Sequence, residues 1–220
     1  MAEYFSQFMP FMVTGVKTTI ILFVITLVLS LPLGLPIALG ERSRFKPLSW
    51  ICKFYVWVFR GTPLMLQLFF FYFFFPFTLD ITIPALPTAC ITFVLNYAAY
   101  FAEIYRGGIN GIDRGQYEAA YVLGLSRGQT MKDIILPQTM KTILPPVVNE
   151  AITLVKDTAL ASSIGVIELM KATQSAVNRE TDISIFFWAA AIYLVMCSVL
   201  TLAAGRIEKY FMRYDAKEEY

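Results

Sequence analysis

The sequence predicts an all-α, polytopic membrane protein with five transmembrane helices, and three observations support this fold class. Hydrophobic residues make up 57% of the 220 residues and aromatic residues 15%, whereas a soluble domain averages about 45–50% apolar residues. Long segments without Asp, Glu, Lys or Arg recur along the chain. The basic residues are concentrated between alternate segments, as they are in the cytoplasmic loops of membrane proteins.

Five segments are long enough to be spans, because a bilayer core about 30 Å thick needs about 20 apolar residues per helix. Four of them carry no charged residue, and a fifth is interrupted only by Glu150, Lys156 and Asp157. In chain order the five are residues 18–40, 61–79, 81–102, 142–165 and 183–205. The first is expected to stay as an anchor, since the residues before it lack the arrangement of a cleavable signal peptide.

The distribution of Lys and Arg predicts the orientation. If the spans alternate across the bilayer, one side receives only Lys17, Lys171 and Arg179. Positively charged short loops stay in the cytoplasm. The amino terminus is therefore expected outside, and the carboxyl terminus and the loop between the third and fourth spans inside. The fourteen basic residues on the inner side are Arg42, Arg44, Lys46, Lys53, Arg60, Arg106, Arg114, Arg127, Lys132, Lys141, Arg206, Lys209, Arg213 and Lys217.

One membrane domain, residues 1–220, accounts for the chain, and its composition argues against several function classes. The formal net charge of +2 is too small to suggest nucleic acid. The chain has no histidine, no HExxH or GxSxG sequence and no phosphate-binding GxxxxGK[ST], so an enzyme and an ATPase are not expected. The cysteines Cys52, Cys90 and Cys197 have no metal-ligand spacing and are interpreted as packing residues. A secondary transporter remains an alternative, although five spans give no complete pair of repeats.

The inner loop, residues 113–137, carries signals for two short helices. Asp113, followed three residues later by Gln116, predicts a helix that starts near Arg114. Gly124 can end that helix, because glycine adopts the left-handed conformation without a steric penalty.

A second helix is predicted directly afterwards. Ser126 followed by Gln129 repeats the capping signature, and Pro137 is expected to interrupt the backbone hydrogen bonds and end the helix. From this pattern alone, the segment is equally well interpreted as a plain connecting loop.

The fourth span contains a carboxylate at membrane depth. Nine residues separate Glu150 from Lys141, which at about 1.5 Å each places Glu150 about 14 Å into the membrane. Ionised groups at that depth usually face a partner or a polar path, and Pro145 and Pro146 are expected to loosen the helix just before it. The polar stripe, residues spaced three and four apart on one helical face, consists of Asn149, Glu150, Thr153, Lys156 and Asp157.

The polar stripe has two interpretations: a path for substrate, in which a carboxylate meets an ammonium or guanidinium group, or an internally hydrogen-bonded seam between two subunits. Gln67 and Asn96 lie in otherwise apolar spans. They are candidates for the same pathway, or for a hydrogen bond between helices.

The inner loop also resembles a known motif. The motif begins with Glu118-Ala119-Ala120, and Gly124 follows after three residues, Ile134 after a further nine and Leu136-Pro137 after one more. This spacing resembles the EAA loop of ATP-binding-cassette importer permeases. Residues 59–70, 98–120 and 149–165 are similar to the polar amino-acid branch of that family, which takes up histidine, glutamine, arginine or cystine.

The resemblance implies a type I importer (MetI-like) membrane domain in the bacterial inner membrane that pairs with a second permease, identical or homologous. It implies an external amino-acid-binding protein, and a cytoplasmic ATPase that binds ATP and Mg²⁺, with no cofactor in this chain. An importer of another small solute is the alternative. The residues implied in coupling are Glu118, Ala119, Ala120, Gly124, Ser126 and Arg127, and the candidates for the substrate pathway are Asn149, Glu150, Thr153, Asp157, Gln67 and Asn96.

Overall fold

A computed structural model describes residues 2–211 of the chain, and the side chains of residues 8–210. Within that range every regular element is helical, as the sequence predicts. The elements are α1 (Ala2–Glu41), α2 (Lys46–Gly61), α3 (Leu64–Leu79), α4 (Ala85–Asn110), α5 (Arg114–Val122), α6 (Arg127–Gln129), a π-helical turn (Thr130–Ile135), α7 (Leu136–Asp157), a 3₁₀ segment (Thr158–Ile164), α8 (Leu169–Glu180) and α9 (Ile185–Phe211).

The fold is built around α4, against which α1, α2, α3 and α7 all pack. Phe93, Tyr97 and Phe101 lie at i, i+4 and i+8 on one face of α4 and are almost fully buried, so they form the centre of the core. The close approach of α1 depends on Gly34, since a Cβ there would lie 2.9 Å from the Cβ of Phe101. A larger residue at position 34 would push the two helices apart.

A sharp corner joins α2 and α3, whose axes differ by 109°. The sequence did not predict α2, because Lys53 and Arg60 interrupt its apolar residues. Its outward side carries the exposed aromatic residues Trp50, Phe54 and Trp57, which contact one another in series. Rows of this kind are typical of helices at a membrane–water boundary.

The number of spans in the structure is smaller than the five expected, when judged by length and composition. Among the described residues, three helical stretches are long and apolar enough to cross a membrane: Phe8–Glu41, Ala85–Asn110 and Ile185–Tyr210. The bent pair α2–α3 would make a fourth if it forms one span. The predicted fourth span corresponds to α7 and the 3₁₀ segment. It is long enough, but α7 carries Lys141, Glu150, Lys156 and Asp157, so the count of five is not confirmed.

The second helix of the inner loop does not end at Pro137, and that prediction is wrong. The backbone widens into a π-helical turn, in which the N–H of Leu136 donates to the carbonyl of Met131, and α7 then continues through Pro137. The wider turn changes the hydrogen-bond register where proline has no N–H to donate. The helix also continues without a break through Pro145 and Pro146. The second half of the inner loop, from Arg127 onwards, and α7 are thus one continuous helical path.

Glu168 holds the start of α8 in place and was missed in the sequence. Its buried carboxylate accepts hydrogen bonds from the backbone N–H groups of Met170 and Lys171, at 2.8 and 2.7 Å, and from the Tyr193 hydroxyl on α9 at 3.1 Å. Burial raises the pKa of Glu168, although these hydrogen bonds act in the opposite direction. A buried carboxylate capping a helix therefore fixes α8 to α9.

Candidate functional site

The first helix of the inner loop, α5, begins as predicted. The side chain of Asp113 accepts a hydrogen bond of 2.6 Å from the backbone N–H of Gly115, and this satisfies one of the free donors at the helix start. Gln116 does not complete the capping box. Its side-chain oxygen accepts from Gln138 at 3.0 Å instead, which ties α5 to the first turn of α7.

The turn after α5 depends on Gly124, whose φ is +75°. The N–H of Gly124 donates to the carbonyl of Tyr121, and the N–H of Leu125 to that of Ala120, both at 3.0 Å. These are the two hydrogen bonds of a Schellman motif. Glycine is required for its conformation, since a Cβ there would meet no other atom within 4 Å and only the backbone would be strained.

The apolar tip of the loop consists of Tyr121, Val122 and Leu123, which are 82%, 83% and 76% exposed. Ala120, one residue earlier, is only 2% exposed, so the tip projects from a packed base. Three adjacent exposed hydrophobic residues on a fixed turn form an apolar patch of the kind that protein partners cover.

The second half of the loop begins with the predicted capping box. The N–H of Ser126 donates to the side-chain oxygen of Gln129 at 2.9 Å, and the N–H of Gln129 donates back to the Ser126 hydroxyl at 3.3 Å. Arg127 is exposed in the first turn. Glu118, on α5, is also exposed, and its carboxylate makes no hydrogen bond or ion pair with the part of the chain that the structure describes.

The polar stripe forms one face of α7, since the helix is continuous through it. Asp157 accepts a hydrogen bond of 2.7 Å from the hydroxyl of Tyr97, which is buried on α4. Thr153 donates to the carbonyl of Asn149 at 3.0 Å, so it bonds within its own helix. Glu150 is half-buried and has no hydrogen-bond partner among the described residues.

The structure adds a charged cluster beside the stripe that the sequence did not single out. Glu103 on α4 forms a two-pronged ion pair with Arg106 and also lies 3.6 Å from Arg60 at the end of α2. The guanidinium of Arg60 lies 5.5 Å above the ring centre of Tyr100, a cation–π contact. Arg106 follows Glu103 by three residues, a spacing that signals the local pair, but no local pattern indicates that Arg60 lies beside Glu103.

Gln67 and Asn96 are joined in a buried hydrogen-bond network at the α2–α3 corner. The Asn96 amide donates to the Gln67 side-chain oxygen at 2.9 Å and to the carbonyl of Phe59 at 3.2 Å. The Gln67 amide donates to Phe59 and to the hydroxyl of Thr62, at 2.9 and 2.8 Å. The alternative of a hydrogen bond between helices is therefore realised, and a direct place in the substrate pathway stays a prediction.

Comparisons with known proteins agree with this geometry. The family model described as "Binding-protein-dependent transport system inner membrane component" matches residues 30–212. The L-cystine transport system permease protein of Bacillus subtilis (strain 168) is 39% identical over 213 residues, 96% of this chain and 91% of the relative. The arginine transport system permease protein of the same organism is 41% identical over 207 residues, 94% of both chains.

Two solved structures share the fold. A chain of an amino acid ABC transporter with histidines has a TM-score of 0.88 and 32% identity, and covers 93% of this chain and 96% of its own. An inward-facing methionine ABC transporter, MetNI, has a TM-score of 0.76 at 18% identity, with 92% and 97% covered. The expected MetI-like importer fold is confirmed.

The match to a family of transport components also agrees with the expectation that the chain is not an enzyme. It spans most of the chain, including α4, the inner loop and α7. The chain therefore belongs to the family of binding-protein-dependent transport system inner membrane components.

Proposed function

We propose that this chain is the permease subunit of an ATP-driven importer for polar amino acids, which an external binding protein delivers. The observation that carries the proposal is the inner loop, in which an exposed apolar tip is fixed by a glycine turn and a helical path then runs from Arg127 into α7. The printed substrates of the relatives, cystine, arginine and glutamine, support the substrate class.

The apolar tip is the part that docks into a groove of a cytoplasmic ATPase. Apolar side chains in the centre of such a contact contribute most of its stability, and polar residues around them exclude water. Glu118 and Arg127 are the charged groups at its edge, and Ala119 and Ser126 lie beside them. ATP and Mg²⁺ are bound by the ATPase, because this chain has no phosphate-binding loop.

Movement of the tip reaches α7 through two connections. The first is the backbone path from α6 through the π-helical turn into α7, and the second is the hydrogen bond between Gln116 and Gln138. A helical path transmits a displacement as a rigid element with few internal degrees of freedom. Nucleotide-driven movement of the ATPase would thereby shift the polar stripe.

The polar stripe provides the substrate path, together with the equivalent face of a second permease copy, identical or homologous. Glu150 and Asp157 place two carboxylates on one side of α7, where they suit the ammonium or guanidinium group of a cationic side chain. Thr153 and Asn149 add a hydroxyl and an amide. Gln67 and Asn96 contribute by holding the α2–α3 corner beside this path.

Five spans with the amino terminus outside and the carboxyl terminus in the cytoplasm complete the proposal. In this arrangement α7 and the 3₁₀ segment form the span that hydropathy alone does not identify, because it carries Glu150 and Asp157, which face the path and not the lipid. The basic inner loop then lies on the cytoplasmic side, where the ATPase is.

The test is ATP hydrolysis and uptake by the complex in proteoliposomes, with the ATPase and a candidate binding protein added. We expect both activities to rise together with one or more of arginine, glutamine and cystine. Uptake that follows an ion gradient without ATP would favour a secondary transporter. Stimulation only by a solute that is not an amino acid would contradict the proposed substrate class.

A further inference from the structure

An apolar groove of about 570 Å³ runs between α1, α4 and α7. Its lining has two polar groups, the hydroxyls of Tyr105 and Thr139. Both are already used, since Tyr105 donates to the carbonyl of Leu31 at 3.0 Å and Thr139 to that of Ile135 at 2.8 Å. The groove therefore offers hydrocarbon contacts and no free hydrogen-bonding side chain. It is open at the protein surface beside Leu35 and Met140, which are exposed.

Two basic hollows continue from the end of this groove. Ile109 lines the groove and also the first hollow, of about 550 Å³, together with Arg42 and Arg114. Arg42 also lines the second hollow, of about 480 Å³, with Arg44 and Arg127. Groove and hollows thus form one connected surface that changes from apolar to basic.

The hollows are strongly cationic. Four arginines line them against a single carboxylate, Glu118, and none of the four forms an ion pair with the part of the chain that the structure describes. Arg42 donates one hydrogen bond to the Asn110 side chain, which leaves most of its five N–H donors available. Planar guanidinium groups with free donors suit phosphate oxygens.

The change from apolar to basic occurs where two spans end. The candidate spans of α1 and α4 finish at Glu41 and Asn110, directly beside Arg42 and the first hollow. A phospholipid has the same order of chemistry, an acyl chain in the membrane core and a phosphate at its surface.

We propose that the groove and the hollows bind one anionic glycerophospholipid of the cytoplasmic leaflet. An acyl chain lies in the groove, and the phosphate contacts Arg42 and Arg114, with Arg44 adding positive potential. The excess of arginine over Glu118 selects an anionic headgroup. The choice of the cytoplasmic leaflet rests on the orientation given in the proposed function. The chemistry of the lipid site does not depend on which amino acid is transported. A lipid held there joins α1 to the inner loop and to α7.

The test uses the purified complex with its ATPase in detergent, titrated with phosphatidylglycerol or phosphatidylcholine and analysed by native mass spectrometry. We expect phosphatidylglycerol to bind more tightly than phosphatidylcholine of the same acyl chains. Loss of one arginine near a headgroup weakens binding about fivefold, so Arg42→Gln/Arg114→Gln should weaken it about thirtyfold. The control, Arg206→Gln/Lys209→Gln, removes two exposed charges at the end of α9 and should leave the affinity unchanged.

A second variant tests the acyl chain. Leu35→Trp adds bulk to an exposed wall of the groove, so it should displace the chain without disturbing the core. The proposal would be overturned if the two lipids bound with equal affinity, or if the control variant lost as much affinity for phosphatidylglycerol as Arg42→Gln/Arg114→Gln. It would also be overturned if Leu35→Trp retained phosphatidylglycerol as well as the unchanged protein. If the Arg42→Gln/Arg114→Gln variant no longer bound the ATPase but still bound phosphatidylglycerol, the hollows would be assigned to the ATPase contact instead. Retention is measured without substrate, so a failure of amino-acid uptake would not affect this result.

Discussion

The carboxylates of Glu150 and Asp157 share one face of α7 but differ in their surroundings. Asp157 is held by the buried hydroxyl of Tyr97, whereas Glu150 has no hydrogen-bond partner in the described part of the chain. The expected depth of Glu150 in the membrane was obtained by counting helical residues from Lys141. The partner of Asp157 lies 60 positions away in sequence, so no local pattern could identify it.

Glu150→Gln is expected to reduce uptake of a cationic amino acid more than that of a neutral one. The change keeps the size of the side chain and removes its charge, and a hydrogen bond to a charged group contributes about 1.5–3 kcal/mol. The measurements are uptake of arginine, uptake of glutamine and the ATP hydrolysis that each stimulates. Both amino acids should be tested at a saturating concentration of the binding protein. Unchanged transport of every substrate at normal expression would favour a structural role for the stripe.

Gly124→Val should uncouple transport while the protein still inserts and folds. The left-handed backbone at this position costs a residue with a side chain about 1–2 kcal/mol, and a β-branched residue is especially unfavourable there. Gly128→Val is the matched control, because a Cβ at either glycine meets nothing within 4 Å. Of these two glycines, Gly124 alone has a positive φ. Association of the ATPase and substrate-driven uptake would be measured for both. Equal behaviour of the two variants would contradict the role of the turn.

At the scale of elements, the sequence predicts what short-range chemistry determines. The Schellman turn at Gly124 and the capping box at Ser126 depend on neighbouring residues and were predicted. The continuation through Pro137 was not, because a π-helical turn compensates for the missing donor. Helix α2 was missed because Lys53 and Arg60, within its apolar sequence, obscure the pattern of an amphipathic helix.

The α2–α3 corner should depend on the pair Gln67 and Asn96. Gln67→Leu leaves the Asn96 amide with one partner fewer, and an unsatisfied buried polar group costs about 1–3 kcal/mol. We expect Gln67→Leu/Asn96→Leu to lose less stability than the sum of the single variants, with a coupling of about 0.6 to 2 kcal/mol. Unfolding of the complex in detergent would measure it, and additive losses would show that the two amides act independently.

For the whole molecule, the proposed orientation is derived from charge, with fourteen basic residues expected on one side and three on the other. The structure refines where a reporter should be placed. Thr173, in the segment predicted to lie outside, is fully buried, whereas Gln174 is exposed. The carboxyl tail, also predicted to be cytoplasmic, lies outside the described residues.

Single cysteines at Gly128 and Gln174 should therefore label from opposite sides of the membrane. In a background without Cys52, Cys90 and Cys197, an impermeant thiol reagent should reach position 128 only from the cytoplasm and position 174 only from outside. Both positions are exposed, so access depends on the side of the membrane. The reverse pattern would refute the orientation, and with it the cytoplasmic place of the inner loop.

The central claim, that the inner loop docks onto an ATPase, is tested most directly by photo-crosslinking from its apolar tip. A photoreactive residue would replace Val122, which is 83% exposed, and a control would replace Val195, which is 61% exposed on α9. In the assembled transporter we predict a crosslink to the ATPase from position 122 and none from position 195. An ATPase that copurifies and hydrolyses ATP in response to substrate, yet crosslinks to position 195 and not to position 122, would contradict the account.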